Sequence, residues 1–596
     1  MTKYIFFTIF VTTFIVGTFC NNNEKQKYQD GLKEFQTSRI ISPKYNETLH
    51  QLELWNSAGQ LKGSLMCELC YVAANVIISE FRANWSIDVI TLEAAGVCTL
   101  LGIETGVVCR GVIDRNIDIF EYIIKENPDL KAERACDIIL QNDGCNKTTF
   151  EWTVAIPDGE TVQRKAPSSP ESSFNILHIS DIHYDPLYTE GKNKNCDEPL
   201  CCQSDQEDGS KEEGTACGYW SEYEKADTSD ALIDEAIRKA AETEYEYVYF
   251  TGDAISHRVW ATSIEDNTKS MKSLFGKMKT AFPNIPIYPC LGNHEPSPLN
   301  EYAITNENET LNDNLSNQWL YRLITTEFSE WLTEEASSTI MLGGFYTVSP
   351  KDGFRIIVVN SNVAYTMNWW LIHNDTDPFG QLAWLAETLK AAEDAQEVVH
   401  ILSHIPSGKS DLLKVWSREY RKIIERFSNT IAAQFNGHTH HDQFMVYYSS
   451  NNSSNVINLA LNGASVMSDK SNPSFKILNI DNDNYDVLDT EEWTFNLTEA
   501  NIKGNDTPNW YKLYSFREQY GVSSLSPEAL TEFMPRLAAN HSLLYDYHIL
   551  RYRNSDIARI SGCDDKCKLN YLCEVSVSDV GNNTACDVLT EIFNRN

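Results

Sequence analysis

The sequence predicts an α/β protein, with layered sheets flanked by helices, an all-α unit before them and a helical, cysteine-bearing region after. Three observations predict it. Short apolar, β-prone runs recur through the middle of the chain and alternate with helical patterns, the arrangement of sheets covered by helices. Several of these runs end in Asp, Asn or His, and catalytic residues of such folds sit at the carboxyl ends of strands. Six cysteines crowd residues 67–145 among helical patterns, and four more crowd residues 563–586.

A chain of 596 residues is too long for one core and should divide into several units. Residues 1–20 carry Lys3, an apolar run from Tyr4 to Val16, then small residues and Cys20, the pattern of a secretory signal peptide. No later stretch is long and apolar enough to cross a bilayer. Residues 21–60 are polar, a leader with one short helix. Residues 61–149 form the cysteine-framed unit. Cys67 and Cys70 lie three apart on one helix face, and Leu69 to Ile78 is apolar nearly all round, so it needs cover on several sides. Spacing alone leaves all fifteen pairings of six cysteines open. Residues 150–172, with Pro157, Pro167 and Pro170, read as a linker.

The α/β region spans 173–490. Strands are expected at Asn175–Ile179, Tyr247–Phe250, Ile287–Leu291, Phe354–Val359, Val398–Leu402 and Ile431–Phe435. A helix from Thr228 to Ala241, capped by Thr228 or Ser229, puts Leu232, Ile233, Ala236, Ile237 and Ala240 on one face. Residues 491–596 turn helical, with short loops closed by Cys563–Cys567 and Cys573–Cys586. Cys196, Cys201, Cys202 and Cys217 form a further group, and Cys290 is left over as a buried free thiol. In an oxidising compartment the grouped cysteines read as disulfides. Sequons at Asn46, Asn84, Asn146, Asn308, Asn314, Asn374, Asn496, Asn505, Asn540 and Asn582 fit a glycoprotein. Together these features place the chain outside the cell or in a lysosome.

The formal net charge of −35 argues against nucleic acid as a partner, because phosphate backbones need a basic surface. An acidic organelle would neutralise much of that charge.

Five segments end in metal-binding or acid/base side chains: Asp181-Ile-His183, Gly252-Asp253, Gly292-Asn-His-Glu295, His404 and Gly437-His-Thr-His440. Residues i and i+2 of an extended segment point the same way, so Asp181 and His183 can converge on one cation, and so can His438 and His440. Carboxylate oxygen and imidazole nitrogen are ligands that zinc accepts, and Asn293 adds a neutral oxygen. Asp253 has two oxygens and can bridge two cations. His178 and His400 sit inside strands and read as core or surface histidines. Trp369-Trp370 reads either as core or, if exposed at the site mouth, as a grip on lipid.

The order D-x-H, G-D, G-N-H-E, H, G-H-x-H resembles the calcineurin-like metallophosphoesterase superfamily over residues 175 to 445, which implies a layered two-sheet core. The six cysteines of residues 61–149 resemble a saposin domain. That likeness implies nested pairing, Cys67–Cys145, Cys70–Cys136 and Cys98–Cys109, and a lipid-facing role. Gly252-Asp-x-x-x-His257, His404-Ile-Pro406, Gly437-His-Thr-His-His-Asp442, Cys196-Asp-Glu-Pro-Leu-Cys-Cys202 and Gly218-Tyr-Trp-Ser-Glu-Tyr223 resemble the acid sphingomyelinase family. The resemblance implies two Zn2+ ions, one on Asp181, His183 and His440, the other on Asn293, His404 and His438, with Asp253 between them. It leaves His257 and His294 as candidate general acids. It implies hydrolysis of membrane sphingolipid at acidic pH by a protein we expect to be a monomer. Cys586 is the last cysteine, so a C-terminal regulatory thiol is not expected. Purple acid phosphatases share the core but place Tyr where Ser256 stands, which argues against an iron–tyrosinate site. Two further readings are a nucleotide phosphodiesterase with the same ligands and a lipid-binding protein with a dead site. Every ligand position is filled, which counts against the second.

Overall fold

The structure, a computed structural model, describes residues 64–100, 104–148, 150–159, 172–305, 309–463 and 465–595. The signal segment, the leader, Asn46 and Asn308 lie outside the described residues. Two six-stranded mixed sheets form the core. In the first, β1 (Ser173–Ile179), β2 (Tyr247–Phe250) and β3 (Ile287–Pro289) run parallel, and β10 (Ser474–Asp481), β11 (Val487–Thr494) and β12 (Tyr511–Ser515) extend it antiparallel, in the order β12-β11-β10-β1-β2-β3. The second has the order β4-β5-β6-β7-β9-β8. Its strands are β4 (Tyr346–Lys351), β5 (Phe354–Val359), β6 (Val398–Ser403), β7 (Ile431–Asn436), β8 (Gln443–Ser449) and β9 (Asn452–Asn462). In it β5, β6, β7 and β9 run parallel.

The expected strands sit where the apolar runs put them. The sequence reading missed β4 and β8 to β12, and the first sheet continues past residue 490 into a stretch that reads as helical. β4 and β9 to β12 are more polar along one face and pair mostly antiparallel, so they lack the continuous apolar run of a strand buried on both faces, whereas Phe444 to Tyr448 of β8 is such a run, all five residues buried, that the sequence reading overlooked. Tyr247-Val-Tyr-Phe250 is such a run, and all four residues are buried. His178 and His400 meet Phe435 between the sheets, at ring distances of 5.8 Å and 5.1 Å, and His400 Nδ1 is 2.8 Å from the Tyr249 hydroxyl. Both are core histidines, as their place in the strands suggests. The helix that follows starts at Asp230, capped by the Ser229 hydroxyl, which accepts from the Leu232 N–H.

The N-terminal unit is four helices, α1 (Ser64–Arg82), α2 (Ile87–Leu100), α3 (Gly106–Glu126) and α4 (Ala132–Ile139). Its disulfides are nested: Cys67–Cys145, Cys70–Cys136 and Cys98–Cys109. The remaining bonds are Cys196–Cys201, Cys202–Cys217, Cys563–Cys567 and Cys573–Cys586, and Cys290 is free and buried. Residues 150–159 run over the core and are pinned to the helix Lys414–Arg426: Arg418 donates to the Trp152 carbonyl and the Val154 N–H donates to Glu419.

The Trp369-Trp370 pair does not face solvent or a site mouth. Both rings are at most 2% exposed. Phe120 and Tyr122 of α3 pack against them in tilted pairs at 5.3 Å and 5.4 Å, and Arg134 of α4 donates to the Ile372 carbonyl and to Asp375. The lipid-grip reading is therefore corrected. The aromatic pair is where the helical unit docks, and two large rings in one spot cover the apolar face that α3 cannot bury within its own small unit.

Among the sequon asparagines, Asn84, Asn146, Asn314, Asn505, Asn540 and Asn582 are exposed, while Asn374 and Asn496 are half-buried. Asn496 caps a helix and its amide donates to Asp556, so a glycan on that nitrogen would leave one N–H for this bond. Among the described residues no helix is long and apolar enough to cross a membrane.

Candidate metal centre

The parallel strands of both sheets point their carboxyl ends at one edge. Asp181 and His183 follow β1, Asp253 follows β2, Asn293 and His294 follow β3, His404 follows β6, and His438 and His440 follow β7. Asp181, His183, Asp253, His438 and His440 have φ of 49°, 47°, 60°, 72° and 56°. This left-handed backbone costs a non-glycine residue about 1–2 kcal/mol and persists where the surroundings over-determine it. Gly437 lets the last loop come close, since a Cβ there would sit 2.3 Å from Ser180 Oγ and 2.9 Å from Asp181 Oδ2.

The side chains gather into two clusters that share one residue. Asp181, His183, Asp253 and His440 form the first, and Asp253, His404 and His438 the second, with ligand atoms within 4.8 Å of one another in each. Asp253 Oδ2 lies 3.5 Å from His183 Nε2 and 3.1 Å from His404 Nε2, between the clusters. Asn293 Oδ1 is 3.0 Å from His404 Nε2 and 2.9 Å from His438 Nδ1, and the Asn293 amide donates to Asn300.

The remaining imidazole nitrogens decide what this arrangement can hold. His183 Nδ1 is 2.8 Å from the Ile255 carbonyl and His404 Nδ1 is 2.7 Å from the Thr251 carbonyl, so each of these nitrogens carries its proton there. Asp469 lies 3.4 Å from His440 Nδ1 and Asp411 lies 3.7 Å from His438 Nε2, carboxylates that favour a proton on those outward nitrogens. The inward nitrogens are then lone-pair donors. His183 Nε2 and His440 Nε2 face each other at 3.0 Å, an arrangement that calls for a cation between them. Burial opposes positive charge here, yet the Asp253 carboxylate outweighs it and raises the His404 imidazole to about 9, so the space between them attracts a cation, and a metal ion would take the place of that proton. Two oxygen-and-nitrogen donor sets bridged by a carboxylate fit a pair of divalent metal ions.

His257 and His294 lie beside the first cluster, with rings 4.1 Å and 4.6 Å from the His183 ring and 4.4 Å from each other. Their settings differ. His294 is buried, its backbone N–H donates to Asp253 Oδ1, and burial pushes its imidazole down to about 3. His257 keeps a third of its side chain exposed, and its Nδ1 is 2.8 Å from fully buried Asp227, whose other oxygen accepts the His257 backbone N–H. That fixes the ring with Nε2 free for a substrate.

Sequence reasoning missed Asp227, Asp411 and Asp469. Asp227 stands two residues before a helix cap and reads as turn chemistry. Only the fold brings it to His257, thirty positions on. An isolated Asp in a loop carries no signal for Asp411 or Asp469.

The sheets and the two bridged donor clusters define a phosphoesterase with adjacent cation positions. A family model described as calcineurin-like phosphoesterase matches residues 174–442, and one described as acid sphingomyelin phosphodiesterase C-terminal region matches residues 449–591. Sphingomyelin phosphodiesterase of Bos taurus is 32% identical over 525 residues, covering 86% of this chain and 81% of that protein. Sphingomyelin phosphodiesterase 2 of Caenorhabditis elegans is 30% identical over 583 residues, covering 93% of each. A cyclic GMP-AMP phosphodiesterase of Bos taurus is 28% identical over 432 residues, covering 69% of this chain. The chain belongs to the acid sphingomyelinase family.

Proposed function

We propose that this protein hydrolyses sphingomyelin to ceramide and phosphocholine at acidic pH, using two zinc ions, in a lysosome or outside the cell. The observation that carries the reading is the pair of donor clusters bridged by Asp253, with each inward imidazole fixed by a partner on its other nitrogen. Asp181, His183 and His440 would hold one ion, Asn293, His404 and His438 the other, and Asp253 both. When bound, such ions acidify a water and draw charge from the phosphoryl oxygens.

The chain's own groups supply the rest. As the bond from phosphorus to the ceramide oxygen breaks, that oxygen needs a proton, because an alkoxide is a poor leaving group. His257 donates it through Nε2, held by Asp227 and open to solvent for reprotonation. His294, buried and neutral, lines the same wall as a neutral hydrogen-bond donor.

The helical unit would meet the membrane. Leu92 on α2 and Val107 on α3 are 61% and 65% exposed, and the disulfides brace the helices that present them. Seven disulfides suit an oxidising compartment.

The test is metal analysis of the purified protein, with phosphocholine release from sphingomyelin vesicles followed across pH beside hydrolysis of a cyclic dinucleotide. Zinc together with acid-favoured phosphocholine release is expected. A protein that cleaves the dinucleotide and leaves sphingomyelin intact would overturn the substrate, and one that takes up no divalent metal would overturn the mechanism.

A further inference from the structure

We propose that Arg553, in the C-terminal region, is a positioning residue that sets the cation position formed by Asp181, His183 and His440. The inference rests on the metal reading above. Arg553 lies just beyond the helix His541–Arg551, is 0% exposed, and has a left-handed φ of 50°. A buried cation is costly unless its donors are met. Here the guanidinium spends them on backbone carbonyls and a hydroxyl. Nε donates to the Asn472 carbonyl at 2.5 Å and Nη1 to the His440 carbonyl at 2.6 Å. Nη2 reaches Ser465 Oγ at 3.3 Å and the Met467 carbonyl at 3.4 Å.

These contacts matter because of what the same backbone carries. The His440 carbonyl belongs to a candidate ligand whose own φ is 56°, a conformation its surroundings must hold. The loop 465–472 is bonded to the other ligand strand: the Val466 N–H donates to the Ser180 carbonyl and the Met467 N–H to the Asp181 carbonyl, at 3.3 Å and 3.2 Å. It also carries Asp469, the carboxylate on His440 Nδ1. One planar fork therefore ties the backbone of His440 to the loop that braces Asp181 and orients the His440 ring. The side chains of His404 and His438 meet Thr251, Asn293 and Asp411 rather than this loop, and the one tie to the second cation position is the His438 N–H, which donates to Asp181 Oδ1 at 2.8 Å, so the effect should fall mainly on the first position. Arg551, two residues earlier, supplies the comparison. It is a buried arginine that pairs with Glu574 at 2.8 Å and covers the Tyr571 ring, and its side chain reaches no candidate ligand.

The experiment uses the full-length protein stripped of metal. Zinc is titrated back against a competing chelator, and cobalt(II) spectra report the coordination of each position. Wild type should bind two ions. Arg553→Met is expected to weaken one of the two zinc affinities about 10- to 100-fold, the usual effect of losing a residue that orients a ligand, and to weaken the other far less. Arg553→Lys keeps the charge but not the fork and should recover part of the loss. Arg551→Met should melt at a lower temperature with both affinities intact. Two tight sites in Arg553→Met would overturn the inference, as would equal weakening of both sites in Arg553→Met and Arg551→Met, which would signify general loosening. If Arg553→Met does not fold, folded Arg553→Lys with wild-type affinity at both positions would overturn it. A wild type that binds no zinc would overturn the metal reading itself, and this inference with it.

Discussion

Replacing Asp227 by Asn tests the proposed proton donor without touching a metal ligand. Both Asp227 oxygens accept from His257, one from the ring Nδ1 at 2.8 Å and one from the backbone N–H. Asparagine has one oxygen, so its amide must turn toward one of these two donors. Either the ring changes tautomer or a buried N–H goes unmet. A hydrogen bond to a charged group contributes about 1.5–3 kcal/mol. At about 1.4 kcal/mol per factor of ten, turnover on sphingomyelin should fall roughly 10- to 150-fold. His257→Ala should lose about 10²- to 10⁴-fold. In the double variant the Asp227 change should add almost nothing, since it acts through a ring that is gone. The assay compares sphingomyelin with a bis(nitrophenyl) phosphate, whose leaving group needs no proton, at equal zinc content. Both variants should spare the nitrophenyl substrate. Equal losses on the two substrates, or additive losses in the double variant, would refute the assignment.

Asp253→Asn should lose zinc and activity while the disulfides stay formed, because Asp253 alone lies between both clusters; metal content and a non-reducing peptide map check this. Trp370→Ala should destabilise the protein by about 3–5 kcal/mol and lower vesicle and soluble-substrate activity alike, since the ring is a buried dock for α3; calorimetry and paired assays read it. Two buried carboxyls should make stability rise as pH falls from about 8 to 6.5; below that, His178 and His294, which burial pushes down to about 3, oppose them. Burial, then Asp227, pushes the Asp185 carboxyl up to about 7, and burial, then Asp442, pushes Glu492 up to about 8. A carboxyl raised above its unfolded value of about 4 binds its proton more tightly when folded. That stability is therefore full in acid and is lost as pH climbs through 7 to 8. Glu492→Gln, which removes one such group, should flatten the melting-temperature profile; a profile as steep as wild type counts against the argument.

The sequence by itself determined the strands buried on both faces, because a continuous apolar run such as Tyr247–Phe250 has no other stable place. It determined the residues at their carboxyl ends too, because five short motifs in one order are readable without knowing how the strands pack. It named the six residues that the two clusters gather, and Asn293, which meets His404 and His438 beside them. Tertiary structure decided what depends on distant surfaces meeting. Trp369 and Trp370 are apolar in any reading, and only the docking of α3 makes them an interface rather than a lipid grip. His257 and His294 look alike in sequence, and burial together with Asp227 gives them different settings. The more polar strands β9 to β12 offer a weaker apolar pattern, a signal too faint until a sheet is there to pair with them. Arg553 reads as one more arginine after a helix, and its hold on His440, more than a hundred positions away, exists only once the chain has folded.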